Sequence, residues 1–259
     1  MANKHVLMKA LVLCFCCFST LVWGAEKPFV IVIDAGHGGK DPGAVGRVAK
    51  EKDLNLSVAL KLGARIASKH KDVSVVYTRR TDRFVGLDDR AVIANRCDAD
   101  LFVSIHANAA STKSVSGTET YVLGLARSKE NLEVAKRENA AILLEDNYEQ
   151  RYEGFDPRQA ESYIIFEFIQ DKHMDQSIEF ASYVQRYFKS ARRIDRGVKQ
   201  AGFLVLRKTS MPAVLVEIGY LSNYTEEKYM NSAKGQTTIA NAIYEAFVKY
   251  KRAFERKSL

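Results

Sequence analysis

Cysteine and proline are scarce in this chain, with four residues of each among 259. Cys14, Cys16 and Cys17 lie in the apolar N-terminal stretch, which leaves Cys97 as the one cysteine of the remainder. A single cysteine cannot form an internal disulfide, so a small disulfide-stabilised fold is excluded. The remaining segment of about 235 residues is long enough to bury a hydrophobic core as one domain.

The N-terminal segment predicts export. Lys4 and Lys9 precede LVLCFCCFSTLVWGA, an apolar run that ends in small residues at Gly24 and Ala25. This is the pattern of a secretory signal peptide, whereas a membrane-spanning helix needs about 20 consecutive apolar residues. We therefore expect a signal peptide over residues 1–24, a mature domain over 25–259 and no stable membrane anchor.

The chain carries a formal net charge of +8 without a dense block of lysine and arginine. A positive balance suits an anionic polymer or surface, which includes cell-wall material, lipopolysaccharide and nucleic acid. Export argues against nucleic acid, and no aromatic-rich RNA motif or DNA-reading helix pattern is evident. Charge alone does not identify the partner, but we expect no nucleic acid.

Short runs rich in valine, isoleucine and phenylalanine alternate with longer amphipathic segments, a pattern typical of a parallel sheet covered by helices. VIVID and LFVSI are apolar at successive positions, as central strands buried on both faces are. We expect a single α/β domain with a mostly parallel central sheet and helices on both faces. The predicted strands are 29–34, 73–78, 100–105, 118–123, 202–206 and 213–217, and the predicted helices are 51–69, 87–97, 128–145, 162–190 and 236–252.

The segment 145–161, EDNYEQRYEGFDPRQAE, is the least regular part of the chain. It is acidic and aromatic, it is interrupted by Gly154 and Pro157, and it lies between two predicted helices. Insertions of this kind are either surface loops or lids over a site. We expect a helical insertion over about 125–190, near the active site.

Polar side chains follow three of the predicted strands. His37, His106 and Glu217 each come where an apolar strand ends, and Glu51 opens the helix after the first strand. In open parallel sheets such groups meet at the edge formed by the carboxyl ends of the strands. Two imidazoles and a carboxylate suit a zinc ion with one open position, and a second carboxylate can move a proton. This combination predicts metal-assisted hydrolysis, with Glu217 as the general base.

Each of these residues has a simpler interpretation. His37 stands among glycines and could be a turn histidine, and His106 could be a buried histidine of the core. Glu51 by itself is explained by the preference of helix N-termini for acidic residues. Glu217 directly follows PAVLV, where an unpaired buried carboxylate would cost several kcal/mol. It therefore either pairs with a cation or takes part in the reaction.

These motifs resemble the zinc-dependent N-acetylmuramoyl-L-alanine amidases of bacterial cell-wall turnover, over almost all of the chain that follows the signal peptide. The segments that carry the resemblance are VIDAGHGGKDPGAVG (32–46), EKDLNL (51–56), TRRTDRFVGLDDRAVIAN (78–95), SIHANA (104–109), SGTETYVLG (116–124) and RGVKQAGFLVLRKTSMPAVLVEIGYLSN (196–223).

The resemblance implies that His37, Glu51 and His106 bind one zinc ion and that Glu217 is the catalytic glutamate. It implies hydrolysis of the amide between N-acetylmuramic acid and L-alanine in peptidoglycan, in wall turnover and daughter-cell separation. Asn108 and Gly38 are candidates for holding the substrate. An exported enzyme of this kind in a two-membrane cell would be periplasmic.

The insertion resembles that of amidases in which a helix covers the zinc until an activator protein displaces it. We therefore consider that a carboxylate of the insertion takes the open zinc position, with Glu161 as the first candidate and Glu153 as the second. The alternative is that these acidic residues only solvate a long surface loop.

Two other classes of function remain open at this point. A zinc hydrolase acting on a different cell-wall amide, such as a peptide carboxypeptidase, would use the same residue types. A non-catalytic wall-binding module with the same fold would be expected to lack at least one of the four site residues, and all four are present.

Overall fold

The computed structural model describes residues 27–168 and 171–258. Its centre is a six-stranded sheet with the strand order β2-β1-β3-β6-β4-β5. The strands are β1 (Phe29–Ala35), β2 (Val73–Tyr77), β3 (Leu101–Asn108), β4 (Thr118–Leu123), β5 (Asp195–Ala201) and β6 (Ala213–Tyr220). The predicted signal peptide, 1–24, lies outside the described residues.

All neighbouring strands of the sheet run parallel except β4 and β6, which are antiparallel. The expected α/β fold with a mostly parallel sheet is therefore confirmed. In β1, β3 and β6 every residue is buried, because helices cover both faces. This is the reason that these strands read as continuous apolar runs rather than alternating ones.

Eight α-helices connect and cover the strands within the described residues. They are α1 (Glu51–Lys69), α2 (Leu87–Arg96), α3 (Lys129–Asn139), α4 (Tyr148–Arg151), α5 (Met174–Ser190), α6 (Leu204–Arg207), α7 (Tyr224–Met230) and α8 (Ala233–Ser258). Two 3₁₀ helices, Ala140–Leu144 and Glu161–Glu167, complete the insertion together with α3 and α4. None of the helices in these ranges is long and apolar enough to cross a membrane.

The two faces of the sheet carry separate apolar clusters. On one face α1, α5 and α8 pack against the strands, and the predicted stripe of Ile239, Ile243, Phe247 and Tyr250 on α8 is buried there. On the other face α2, α3, α6 and the 3₁₀ helices contribute the second cluster. The part of the insertion that precedes α5 therefore belongs to the covering layer of this second face, to which the side chains of His106 and Glu217 also point.

Two of the predicted elements are wrong in detail. The apolar run 202–206 is not a strand, because the fifth strand is Asp195–Ala201 and Leu204–Arg207 is a short helix. The edge position of β5 explains the error, since an edge strand buries little apolar surface and its sequence, DRGVKQA, is polar. The predicted helix 162–190 is divided into the 3₁₀ helix Glu161–Glu167 and α5.

Candidate active site

His37 follows the end of β1 in a backbone conformation that favours glycine, with φ at 60°. The turn is held by two buried arginines that donate to its carbonyl oxygens. Arg79 Nε and Nη2 lie 2.8 Å from the oxygens of Ala35 and Gly36, and Arg90 Nη2 lies 3.0 Å from that of His37. These bonds fix the direction in which the His37 imidazole points.

One of these two buried charges, that of Arg90, is paired with Asp34, which lies before the turn. Burial opposes the charge of Asp34, but Arg90 and hydrogen bonds from Ser104 and Thr78 hold its pKa below the usual value. The Arg90 Nη1 to Asp34 Oδ1 distance is 2.7 Å. Because removal of one partner of a buried ion pair leaves an uncompensated charge, this turn depends on both Asp34 and Arg90.

Gly36 permits the two histidines to approach each other. A Cβ atom at Gly36 would lie 2.3 Å from ring atoms of His106, closer than any side chain tolerates. His106, on the neighbouring strand, can therefore stand directly beside the turn, and the two imidazole centroids are 4.9 Å apart. Glycine is required at this position because the ring fills the space that a side chain would take.

Four side chains converge in a buried group that could hold a metal ion, formed by His37, Glu51, His106 and Glu138. His37 Nε2 lies 3.2 Å from Glu51 Oε1 and 3.0 Å from Glu138 Oε2. His106 Nδ1 lies 3.1 and 2.9 Å from the same two oxygens. In a tetrahedral site with bonds of about 2.0–2.1 Å the donor atoms are about 3.3 Å apart, which is close to these distances.

The donor chemistry also fits a cation. His37 Nε2 and Glu138 Oε2 are buried without a hydrogen-bond partner among the described residues, so the contact between them satisfies neither atom. Burial alone would lower the pKa of His106, but the charge of Glu138 and the close contacts with Glu138 and Glu51 raise it to about 9. The negative charge of Glu51 and Glu138 thus favours a cation between the two histidines.

Hydrogen bonds also orient the side chains of His37 and Glu51. Asp41 Oδ2 lies 2.7 Å from His37 Nδ1, and Asp41 Oδ1 accepts from the Gly43 amide at 3.0 Å. Glu51 accepts from the backbone amides of Ala44 and Ala107 at 2.8 and 3.0 Å. A carboxylate on the second nitrogen of a metal-ligating histidine orients its ring and increases its basicity.

Glu217 lies on β6 directly beside His106 on β3, since the two are paired in the sheet register. It is fully buried, and neither of its carboxylate oxygens has a hydrogen-bond partner in the described part of the chain. Burial, together with the charge of Glu138, raises its pKa well above the usual value, and Arg137 at 3.8 Å offsets only part of this. A carboxyl group of this kind is suited to proton transfer.

Glu138 comes from the last turn of α3, the first helix of the insertion. Beside it, Arg137 donates to Glu138 Oε1 at 3.0 Å, to the Ala109 carbonyl at 2.7 Å and to Asn108 Oδ1 at 3.1 Å. The helix is also docked by Asn139, which donates to the Gly202 carbonyl at 2.8 Å. The insertion therefore packs against the site, and one of its carboxylates is the fourth member of the group.

The structure corrects the choice of that carboxylate. Glu161 and Glu153, the two candidates from the sequence, are exposed and lie outside the group. Both belong to the later part of the insertion, whereas α3 precedes them. Glu138 was missed, although one sequence signal marks it: it continues the buried stripe Asn131, Val134 and Ala135 of the helix. A carboxylate on the buried side of an amphipathic helix requires a partner.

The candidate substrate residues lie on either side of the group. Gly38, with φ at 127°, belongs to the turn after His37 and exchanges backbone hydrogen bonds with Asp41. Asn108 is buried at the end of β3, where its Nδ2 donates to Glu119 Oε2 at 3.1 Å and its Oδ1 accepts from Arg137. Their role toward a substrate stays a prediction.

Comparisons with known proteins agree with this geometry. The family model described as N-acetylmuramoyl-L-alanine amidase matches residues 31–249. The chain is 32% identical to the N-acetylmuramoyl-L-alanine amidases AmiC and AmiA of two Escherichia coli strains, with 88% of this chain aligned in each case. It spans 54% of the length of AmiC and 78% of that of AmiA.

Among solved structures, the N-acetylmuramoyl-L-alanine amidase from Clostridium difficile 630 is similar over 88% of this chain and 98% of its own. The TM-score is 0.66 and the sequence identity is 30%. The shared fold therefore extends over nearly the whole of that enzyme.

Proposed function

Because this chain belongs to the N-acetylmuramoyl-L-alanine amidase family, we propose that it hydrolyses the amide between the lactyl group of N-acetylmuramic acid and L-alanine in peptidoglycan. The observation that carries this proposal is the buried group of two histidines and a glutamate with a further carboxylate, Glu217, beside it. Such a group provides both the metal ligands and the proton acceptor that hydrolysis of an amide requires.

In this proposal His37, Glu51 and His106 hold one zinc ion. When bound, zinc supplies Lewis acidity, which polarises a carbonyl group and acidifies water. Asp41 keeps the Nδ1 atom of His37 turned away from the metal position, and the amides of Ala44 and Ala107 hold Glu51. Glu217 accepts a proton from water and passes it to the leaving amine of L-alanine.

Removal of the Asp41 carboxylate tests the arrangement of the ligands. We expect Asp41→Ala to lower the affinity for zinc by about 10–100-fold, because His37 loses the partner that orients its ring. Competition of the purified protein with a fluorescent zinc chelator measures this affinity directly. Asp53→Ala, which removes an exposed carboxylate from α1, is the matched control. Equal zinc affinity of the two variants would contradict the assignment.

We also propose that the described arrangement is a resting, closed state. Glu138 takes the position that water and the substrate carbonyl need, and α3 covers Glu217. Activity then requires that α3 moves away, and an activator protein that binds the insertion would supply the free energy for this movement. The substrate and the closing helix thus compete for one position.

The proposed place of action is the cell envelope. The N-terminal sequence predicts export, and the amide in question lies in a polymer outside the cytoplasmic membrane. An exported enzyme with this specificity would act in wall turnover and in the separation of daughter cells. In a cell with two membranes, this means the periplasm.

The proposed reaction is tested by mass spectrometry of purified sacculi after digestion with the protein. We expect free stem peptides that begin with L-alanine, together with glycan chains that have lost their peptides. Shortened stems that remain attached to the glycan would instead show a peptidase acting on another wall amide. Sacculi that bind the protein but release nothing, even after displacement of α3, would show a non-catalytic wall-binding module.

A further inference from the structure

A second polar site lies beside Glu217, on the side away from His37. It is a cavity of about 610 Å³ between α3 and the strands β4, β5 and β6. Its lining from the sheet includes Asn108, Glu119, Tyr121, Arg196 and Lys199. None of these residues belongs to the metal-binding group.

The sheet register connects this cavity to the catalytic group. His106 pairs with Glu217, and Glu217 pairs with Glu119 on β4, so these three side chains form a row across adjacent strands. The next strand, β5, carries Arg196 and Lys199. With about 4.8 Å between neighbouring strands, β5 lies about 10 Å from Glu217. An extended peptide covers that distance with about three residues.

The sheet side of the cavity has more positive than negative charge. Glu119 Oε1 accepts from Lys199 Nζ at 2.6 Å, from Arg196 Nε at 2.8 Å and from the Tyr220 hydroxyl at 2.8 Å. One buried carboxylate therefore faces two cations, and the three side chains together carry a net charge of +1. The side chains of Arg196 and Lys199 are 37% and 22% exposed, so a ligand can reach them.

The buried carboxylate of Glu119 fixes the positions of Arg196 and Lys199 through its hydrogen bonds. It is 1% exposed, and the hydrogen bonds from Lys199 and Arg196 keep its pKa below the usual value although burial opposes this. Its other oxygen accepts from Tyr121 and Asn108 at 2.8 and 3.1 Å. The cationic groups are thus presented by a rigid, buried anchor rather than by mobile surface side chains.

The opposite wall of the cavity, formed by α3, carries charges of both signs, because Lys129 and Arg137 line it together with two carboxylates. Glu130 and Glu133, both exposed residues of α3, line it across from Arg196 and Lys199. The same helix that places Glu138 at the metal-binding group therefore also places carboxylates opposite the cations of β5. When α3 leaves, these cations lose the facing carboxylates and can take another anion.

From this arrangement we propose that Arg196 and Lys199 bind a carboxylate of the stem peptide, two or three residues beyond the scissile amide. The two residues then select substrates in which that carboxylate is free rather than amidated. This inference rests on the proposed amidase function and adds a specificity-determining site to it.

The test compares synthetic muramoyl tripeptides whose second and third residues carry free carboxylates with the amidated forms. We expect the protein to prefer the free acid by about tenfold or more in kcat/KM, as for a charge-assisted hydrogen bond. Lys199→Gln should reduce this preference to less than about threefold, mainly through a higher KM for the free acid. Lys199→Arg should retain it. Each variant is measured alone and together with Glu138→Ala, so that the closed state does not mask the effect.

One control variant, together with the contacts that Glu119 retains, separates binding from structural support. Lys61→Gln removes an exposed lysine of α1 and should leave the preference unchanged. In Lys199→Gln, Glu119 keeps its hydrogen bonds with Arg196, Tyr121, Tyr220 and Asn108, so we expect the protein to fold. An equal loss on both substrates, or no preference in the unmodified protein, would overturn the inference while leaving the amidase function in place. Absence of cleavage at the lactyl amide would overturn both.

Discussion

Glu217→Gln should reduce kcat by about 10²–10⁴-fold while the zinc content stays unchanged, because the amide cannot accept the proton of water. The side chains are nearly equal in size, and among the residues that the structure describes Glu217 has no hydrogen-bond partner to lose. Zinc is expected to stay because Glu217 lies outside the group of converging ligand atoms. Release of peptide from sacculi gives the rate, and elemental analysis of the purified protein gives the zinc content.

The effect of Glu217→Gln on activity is measured most clearly in a protein whose site is open. We therefore expect the same loss when Glu217→Gln is combined with Glu138→Ala, since the two carboxylates have separate tasks. Glu245→Gln, on the exposed side of α8, is a control for the change of charge. Full activity of the Glu217 variant would remove this residue from the mechanism. Loss of zinc together with activity would mean that Glu217 is a ligand instead.

Glu138→Ala should raise the activity measured without any partner by about 10–100-fold. The substitution removes the contacts of Glu138 with His37 and His106 at 3.0 and 2.9 Å. A hydrogen bond to a charged group contributes about 1.5–3 kcal/mol, and every 1.4 kcal/mol changes the ratio of open to closed protein about tenfold. Arg137 and Asn139 still hold α3, so we expect a shift in population rather than a permanently open site.

Glu161→Ala is the matched control for this experiment, because it removes a carboxylate of the same insertion that lies outside the ligand group. We expect its activity without a partner to equal that of the unmodified protein. A rise in activity with Glu161→Ala and none with Glu138→Ala would reverse the assignment of the closing residue. No rise with either would show that α3 does not limit the reaction.

The strand-end pattern was sufficient to predict much of the site. His37 follows β1, and His106 and Glu217 lie close to the carboxyl ends of β3 and β6. These three strands are buried neighbours in the sheet, so their ends meet at one edge. The helix at Glu51 begins at the predicted residue and brings its carboxylate to the same edge. These positions were predictable because continuous apolar runs mark buried central strands, and parallel strands present their carboxyl ends at one edge.

Contacts between distant segments were not predictable in the same way. Glu138 meets His37 across about a hundred residues of sequence, and nothing in the local pattern of α3 indicates which element it covers. Asp41 resembles any polar residue of a loop until the direction of the His37 ring is known. The run 202–206 has the composition of a strand, but short apolar runs fit buried helices equally well.

The reversed direction of β4 determines how the site can open. Because β4 runs antiparallel to β6, it ends at the edge of the sheet opposite the ligand group. The chain must therefore cross back over the sheet, and α3 reaches the histidines with its C-terminal end, where the helix dipole is negative and favours a nearby cation. The helix is tethered at the far edge by residues 124–128, which include Gly124 with φ at 153°. In the proposed opening, a swing about this tether would uncover Glu217 and the cavity at β5 together.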